Sequence, residues 1–329
     1  MTRKPAIDRI YRGDALAVLK AWPDAFVDLV LTSPPYFQLR DYGVHGQLGL
    51  EQTPEEYVEK LVAVCREIHR VLKDTGSLFL NLGDSYRDKS LLAVPWRVAL
   101  ALIEDGWLLR NAVVWHKPNA LPRPIKDRLT TTYEFVFHFT KTRTYYYDLD
   151  AIRVPHKGTY RDGTPTRRPR KSGGHLGRLA GPQIGGNFRP HPKGKNPGDV
   201  WTITPETRAK RFIAPGTPHF APFPETICER PILAACPPHG IVLDPFMGSG
   251  TTAVVARRLG RHFLGIELAP EYVELARRRL AEATHAHPAT CSCRVLPTRS
   301  HRRTANSCLG REKARVRAPS FYEERRGEV

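Results

Sequence analysis

The segment VDLVLTSPPY, residues 27–36, is a short aliphatic run that ends abruptly at two prolines. Its aliphatic and β-branched residues favour a strand that is buried on both faces of a sheet. Pro34 and Pro35 lack backbone N–H groups and have a fixed φ, so neither a helix nor a strand ladder continues through them. The segment therefore predicts a buried strand and then a stiff loop, at the strand end where open α/β sheets place their ligands.

This loop presents the Ser33 hydroxyl, carbonyl oxygens outside any ladder and the ring of Tyr36. Such groups suit a flat molecule that carries an amine. The same residues also fit a proline-rich turn after a core strand. Taken alone, the loop is compatible with both interpretations.

The chain has 329 residues, 41% of them hydrophobic, and a formal net charge of +18. This length predicts one large α/β domain with an insertion, or two domains. The apolar runs are shorter than the ~20 residues of a membrane span, and the N-terminal MTRKP contains no apolar signal segment. The six cysteines are scattered, as in a cytosolic protein with reduced thiols. The positive charge makes nucleic acid the first candidate partner.

Helix and strand patterns alternate on both sides of the opening segment. Residues 53–72 predict the clearest helix, because Thr53 can cap it, Pro54 suits its first position and apolar residues recur at helical spacing. Gly76 is expected to close this helix. Further helical patterns cover residues 92–105, 253–259 and the segment from 270, and strand patterns cover the start of 7–19 and residues 77–82, 107–115, 133–139, 241–244 and 262–267. The alternation predicts a doubly wound sheet.

Two segments depart from this pattern. Residues 153–198 contain eleven lysines and arginines against one acid, with dense glycine and proline. We expect a DNA-contacting insertion there, with a solvated linker as the alternative; its expected DNA contacts are Arg167, Arg168, Arg170 and Lys171. From residue 284 onward a basic, disordered tail is expected. Its Cys-x-Cys spacing is tighter than that of usual zinc ligands, so no metal site is predicted.

The segment DPFMGSGTT, residues 244–252, follows another aliphatic strand. Gly248 and Gly250 would let the backbone approach a ligand at a helix N-terminus. The segment lacks the lysine of a P-loop and the third glycine of the dinucleotide fingerprint, and Asp244 disfavours a phosphate. Glu267 ends the next strand, in the place of an acid that binds ribose hydroxyls. These features predict a cationic, ribose-containing ligand without phosphate, which describes S-adenosylmethionine.

Together, TSPPY at residues 32–36 and DPFMGSGTT at residues 244–252 resemble the amino-group DNA methyltransferases. The order of catalytic motif, basic variable region and cofactor motif is similar to the circularly permuted β class. The resemblance covers residues 7–283 and implies an α/β fold, namely a doubly wound, seven-stranded Rossmann-like sheet with an irregular basic insertion. It implies S-adenosyl-L-methionine as cofactor and duplex DNA as substrate. A cytoplasmic, nucleoid-associated prokaryotic protein is expected, monomeric or homodimeric, with a separately acting restriction endonuclease as a potential partner.

The resemblance also assigns domains and site residues. It predicts a catalytic half at 1–152, a target-recognition insertion at 153–200, a cofactor-binding half at 201–283 and the tail at 284–329. The catalytic residues it implies are Ser33, Pro34, Pro35 and Tyr36. The cofactor contacts it implies are Asp14, Phe223, Glu225, Asp244, Phe246, Gly248, Gly250, Thr251, Thr252 and Glu267. Lys117 is expected to contact DNA or the target base.

The expected chemistry follows from the amine. The exocyclic amine of cytosine or adenine is a poor nucleophile, because its lone pair is delocalised into the ring. Hydrogen bonds to Ser33 Oγ and the Pro34 carbonyl would draw it toward tetrahedral geometry, so positioning and electrostatics supply the catalysis. Tyr36 would stack on the base, which must be flipped out of the duplex.

In the resembled family, serine at the first motif position accompanies cytosine N4, whereas aspartate or asparagine accompanies adenine N6. Ser33 therefore favours N4-cytosine, with N6-adenine as the alternative. The chain contains no Pro-Cys dipeptide, which excludes methylation at carbon 5. Competing interpretations are a non-catalytic DNA-binding protein on the same scaffold, which the two intact motifs disfavour, and an RNA methyltransferase.

Overall fold

The computed structural model describes residues 4–120, 124–156, 160–161, 164–165, 191–205 and 223–286. The expected DNA contacts Arg167, Arg168, Arg170 and Lys171 lie outside the described residues, as do most of the basic insertion and almost all of the tail. No helix among the described residues is long and apolar enough to cross a membrane.

Strands and helices alternate along most of the described chain. The strands are β1 (Arg9–Arg12), β2 (Val27–Thr32), β3 (Leu72–Leu82), β4 (Tyr86–Arg87), β5 (Ser90–Leu91), β6 (Leu108–His116), β7 (Tyr133–Thr140), β8 (Tyr160–Arg161), β9 (Thr164–Pro165), β10 (Val200–Thr202), β11 (Ile241–Asp244) and β12 (His262–Glu267). The helices are α1 (Ala15–Lys20), α2 (Pro54–Val71), α3 (Val94–Glu104), α4 (Glu225–Ala235), α5 (Thr251–Arg258) and α6 (Pro270–Ala286), with a 3-10 turn at Asp150–Ile152.

The strand predicted from the opening segment is β2, and all of its residues are buried. It lies near the centre of an eight-stranded sheet with the order β1-β12-β11-β2-β3-β7-β6-β10. Every strand of this sheet runs parallel to its neighbours except β7, which is antiparallel to both β3 and β6. The strand order reverses between β11 and β2, so the loops after these two strands diverge at the topological switch point.

Helices cover both faces of the sheet, as predicted for a doubly wound fold. One hydrophobic cluster joins α1, α2 and α3 to the sheet, and a second joins α4, α5 and α6 to the opposite face. The sheet has one strand more than the seven that were expected. The additional strand, β10, follows the basic insertion and pairs in parallel with β6 at the sheet edge. It is only three residues long, which is too short for an alternating pattern to show in the sequence.

The helix predicted over residues 53–72 forms as α2, with Thr53 as its N-cap and Pro54 in its first turn. The expectation that Gly76 closes this helix was wrong. The helix ends at Val71, and Leu72 already pairs with Val27 in the sheet. The next pair joins Leu29 to Ser77, so β3 contains a bulge between Leu72 and Ser77, and the strand then continues to its carboxyl end at Leu82.

Gly76 lies in this bulge because a side chain does not fit there. A Cβ atom at this position would lie 2.9 Å from the Asp28 carbonyl oxygen and 2.6 Å from Leu72 Cδ1. We therefore expect Gly76→Ala to lower the free energy of unfolding by ~1–3 kcal/mol, measured by denaturant titration. Gly198→Ala is the matched control, because a Cβ atom at Gly198 meets nothing within 4 Å, and we expect its effect to stay within about 0.5 kcal/mol. Equal stability of the two variants would contradict this account of the bulge.

Candidate active site

A cavity of about 440 Å³ opens at the sheet edge where the carboxyl ends of the parallel strands meet. The loops after β1, β2, β6, β11 and β12 all contribute to its lining, together with the N-terminal end of β7. The antiparallel direction of β7 is the reason that its first residues, rather than its last, reach this edge. The loops of both sequence motifs therefore face one cavity, although they are more than 200 residues apart.

Asp244 links the two motif loops. Its Oδ1 accepts a hydrogen bond from Thr32 Oγ1 at 2.6 Å and one from the Phe246 backbone N–H at 3.1 Å, and its Oδ2 accepts one from Thr252 Oγ1 at 2.7 Å. Asp244, Thr32 and Thr252 are almost completely buried. Burial raises the pKa of Asp244 to about 6. Asp244 and Thr252 do not line the cavity. Their side chains are hydrogen-bonded to each other behind the lining residues.

The glycine turn after β11 is fixed by Glu267 on the neighbouring strand. Glu267 Oε2 accepts from the Gly248 N–H at 2.7 Å, and Oε1 accepts from the Ala269 N–H at 2.8 Å. Burial raises the pKa of Glu267. Gly250 adopts a φ of +81° at the N-cap of α5, a conformation that favours glycine. Of these residues, Gly248, Glu267 and Ala269 line the cavity, and Gly250 does not.

Arg279 on α6 holds the same turn from outside. Its guanidinium donates to the Ser249 carbonyl at 2.9 Å, to Ser249 Oγ at 2.5 Å and to Thr251 Oγ1 at 3.1 Å. Glu225, an expected cofactor contact, lies 3.7 Å from Arg279 and is also paired with Arg258. The structure thus brings Glu225 to the arginines that support the turn, and not to the cavity lining.

The remaining expected cofactor residues do reach the cavity. Phe223, Phe246 and Thr251 line it. Asp14 lines it as well, and its Oδ1 also accepts from the Ala17 N–H at 2.9 Å as the N-cap of α1. Asp14 therefore combines the helix-capping role with a position at the cavity.

The four residues Ser33, Pro34, Pro35 and Tyr36 all line the cavity. The loop is anchored from below, because the Tyr57 hydroxyl on α2 donates to the Pro35 carbonyl at 2.9 Å. Ser33 Oγ donates to the Tyr36 hydroxyl at 3.1 Å, and this hydroxyl donates to Glu134 Oε2 at 2.7 Å. Burial, and next the nearby Glu134 carboxylate, raise the pKa of Tyr36 well above its usual value, so the phenol keeps its proton.

Asn81 and Lys117 complete this hydrogen-bonded group. Asn81 Nδ2 lies 2.7 Å from the Tyr36 hydroxyl, 3.0 Å from Glu134 Oε2 and 3.3 Å from Ser33 Oγ. Lys117 forms an ion pair with Glu134, and its ammonium group lies 4.3 Å from the centre of the Trp115 ring. The structure therefore places Lys117 in the cavity lining, next to the loop Ser33–Tyr36.

Sequence reasoning did not single out Asn81 or Glu134. A polar residue at the end of a buried strand was the available signal for Asn81. Glu134 follows the first residue of an aromatic strand, and its approach to Tyr36 depends on that strand running antiparallel, which no local pattern encodes.

The sequence of this chain is similar to those of known DNA methyltransferases. The DNA methylase family of N6 and N4 methyltransferases matches residues 27–278. The Type II methyltransferase M.Cfr9I of Citrobacter freundii is 37% identical over 300 residues, covering 82% of this chain and 87% of the relative. M.SmaI of Serratia marcescens is 36% identical over 301 residues, covering 83% of this chain and 90% of the relative.

Solved structures show the same fold. The PvuII DNA methyltransferase (cytosine-N4-specific) has a TM-score of 0.61 at 22% identity, covering 86% of this chain and 93% of that one. A DNA modification methylase of Thermus thermophilus, described as putative and solved in complex with S-adenosyl-L-methionine, has a TM-score of 0.53 at 27% identity, covering 84% of this chain and 95% of that one.

A doubly wound sheet with a proline-rich loop and a glycine turn at its switch point defines an α/β methyltransferase. The chain belongs to the DNA methylase family of N6 and N4 amino-methyltransferases, of the restriction-modification type. The fold class and the family predicted from the sequence are confirmed.

The buried carboxyl group of Asp244 makes a prediction about stability. Its pKa is about 6 in the folded protein and about 4 in the unfolded chain, so the folded state binds the proton more tightly. The free energy of unfolding therefore decreases as pH rises from about 4 to 6. Relative to Asp244→Asn, which does not titrate, we expect the wild type to gain about 1 kcal/mol between about pH 7.5 and about pH 5. Denaturant unfolding of both proteins at the two pH values measures this, and a difference that is constant or grows with pH would contradict it.

Proposed function

We propose that the protein transfers a methyl group from S-adenosyl-L-methionine to the N4 amine of cytosine in a specific sequence of duplex DNA. The observation that carries this proposal is that Ser33 and Glu267 line one cavity, so an amine acceptor and a candidate ribose acceptor face the same space. Ser33 supports cytosine N4 through the family association of serine at the first motif position. N6-adenine is the alternative.

The residues of the cavity fit the cofactor. The carboxylates of Asp14 and Glu267 share the lining with Phe246, Met247 and Leu268, a set that suits a nucleoside with free hydroxyls and no phosphate. Each oxygen of Glu267 already accepts one backbone hydrogen bond and keeps a lone pair for a ribose hydroxyl. When bound, the cofactor supplies an electrophilic methyl group on a sulfonium.

The catalytic loop would act by holding the amine. Ser33 Oγ and the Pro34 carbonyl accept its two hydrogens, which favours a tetrahedral nitrogen with its lone pair available. The Pro35 carbonyl is already engaged by Tyr57, so the loop has little freedom to move. Tyr36 would stack on a base flipped out of the duplex, because the amine is not accessible within a base pair.

The other assignments are part of the same proposal. The basic segment 153–200 would contact the DNA, and residues 1–152 and 201–283 would supply the catalytic and the cofactor-binding halves. Contacts to phosphates predict that DNA affinity falls steeply with salt concentration.

The base that is methylated can be identified directly. Purified protein, duplex DNA and S-adenosyl-L-methionine should yield N4-methyldeoxycytidine in nucleoside mass spectrometry. N6-methyladenine instead would overturn the choice of base. Methylation of RNA but not of DNA would overturn the proposed substrate, and methylation of neither would overturn the proposed enzyme activity.

The same assay should show that Ser33→Ala transfers methyl groups at least about 100-fold more slowly than the wild type, with unchanged binding of DNA and cofactor. A fully active Ser33→Ala would remove Ser33 from the mechanism.

Substitutions of two glutamates distinguish a residue that lines the cavity from one that lies outside its lining. Glu267→Gln should weaken binding of S-adenosyl-L-methionine by about 10-fold or more in titration calorimetry, since it removes a charged acceptor from the cavity. Glu225→Gln is the matched control, because Glu225 pairs with Arg258 and does not line the cavity; its affinity should stay close to that of the wild type. A larger loss in Glu225→Gln than in Glu267→Gln would reverse these two roles.

A further inference from the structure

Glu134 is the charged end of a hydrogen-bonded chain that starts at the catalytic serine. The chain runs from Ser33 Oγ to the Tyr36 hydroxyl at 3.1 Å, and from there to Glu134 Oε2 at 2.7 Å. Lys117 pairs with Glu134 at the other end, and both side chains are mostly buried. We propose that Glu134, acting through Tyr36, is the positioning residue that makes Ser33 a hydrogen-bond acceptor for the target amine and that receives the proton which this amine loses.

The direction of the chain follows from its charged end. A carboxylate paired with a lysine accepts hydrogen bonds and donates none, so Tyr36 uses its only O–H on Glu134. The two lone pairs of the Tyr36 oxygen then accept from Asn81 Nδ2 at 2.7 Å and from Ser33 Oγ. Ser33 has used its own proton in this bond. Its oxygen accepts weakly from Asn81 at 3.3 Å and keeps a lone pair that suits an amine and repels a carbonyl oxygen.

The proton balance of the reaction uses the same chain. This step rests on the proposed function, because it requires an exocyclic amine as methyl acceptor. As the lone pair of the amine nitrogen forms the new N–C bond, the electrons of the broken C–S bond stay on sulfur, and the nitrogen must release one proton. This proton passes to Ser33 Oγ, the Ser33 proton passes to the Tyr36 oxygen, and the Tyr36 proton passes to Glu134 Oε2. Among Ser33, Tyr36 and Glu134, only Glu134 changes its charge, while the sulfonium that gives up the methyl group becomes a neutral thioether. Glu134 later returns the proton to solvent.

Two variants test the chain at different links. Glu134→Gln keeps the shape of the side chain but introduces a donor, and Tyr36→Phe keeps the ring but removes the middle hydroxyl. We expect single-turnover methyl transfer to fall about 100-fold or more in each, while the affinity for S-adenosyl-L-methionine in calorimetry stays close to the wild-type value. The matched control is Asp28→Asn, since Asp28 is a largely buried acid paired with Lys73 at 2.7 Å in the same sheet, away from the cavity; it should keep the wild-type rate.

A second measurement reports on hydrogen-bond direction without turnover. Once the recognition sequence is mapped from methylated DNA, duplexes are made with cytosine or uracil at the target position, each opposite an abasic site so that neither base is paired. Uracil has a carbonyl where cytosine has its amine. We expect the wild type to bind the cytosine duplex about 10-fold more tightly, and both variants to lose most of this preference, because Ser33 can then turn its proton toward the base.

The outcomes separate this inference from the proposed function. If the wild type transfers no methyl group to DNA, the proposed function is wrong. If the wild type is active but Glu134→Gln keeps its rate or its preference for cytosine, the role of Glu134 is wrong and the proposed function stands. If Glu134→Gln no longer binds the cofactor, its fold is affected and Tyr36→Phe decides; wild-type rate and preference in that variant would overturn the proposal.

Discussion

The buried hydrogen bond between Thr32 Oγ1 and Asp244 Oδ1, 2.6 Å long, joins the last residues of the two central strands β2 and β11. These residues are 212 positions apart in the chain, and the loops that follow them carry the two sequence motifs. Because β2 and β11 are parallel neighbours at the switch point, their loops must diverge to opposite sides of one cavity. The bond fixes the spacing from which both loops start, and the positions of Ser33 and of the glycine turn follow from it.

This arrangement places a carboxyl group in the core, which carries a cost in free energy. Burial without partners would leave Asp244 protonated at neutral pH. Two hydroxyl groups and one backbone N–H donate to it, and they offset much of the desolvation, so its pKa rises only to about 6. Thr32 and Thr252 belong to different motifs, and both are almost completely buried. The clamp therefore depends on residues from both halves of the protein and is complete only when the sheet has formed.

Sequence patterns predicted the parts of the site that rest on local chemistry. Prolines stop a strand and glycines permit a tight turn wherever the rest of the chain lies, so the positions of both motif loops in the sequence were predicted. The alternation of helical and strand hydrophobic patterns predicted the doubly wound fold. The missed features depend on pairing between distant segments. Asn81 reaches Ser33 through the register that the bulge at Gly76 creates, and Glu134 reaches Tyr36 because β7 runs antiparallel. Glu225 follows the expected pattern in sequence, yet two arginines from other helices take up its charge.

Among the buried and half-buried carboxylates at this sheet edge, the donors around Asp244, Glu267 and Glu134 differ in a way that distinguishes these three acids. Asp244 accepts from three protein donors, lies outside the cavity lining and ties strands together. Glu267 accepts one backbone N–H on each oxygen and lines the cavity, which leaves lone pairs for a ligand. Glu134 accepts from a phenol, an amide and an ammonium group, and the phenol connects it to Ser33. A carboxylate oxygen accepts about two hydrogen bonds, so the kind of donor around each acid, and whether the acid lines the cavity, distinguishes Asp244, which ties strands together, from Glu267 and Glu134, to which we assign a ligand and a neighbouring hydroxyl.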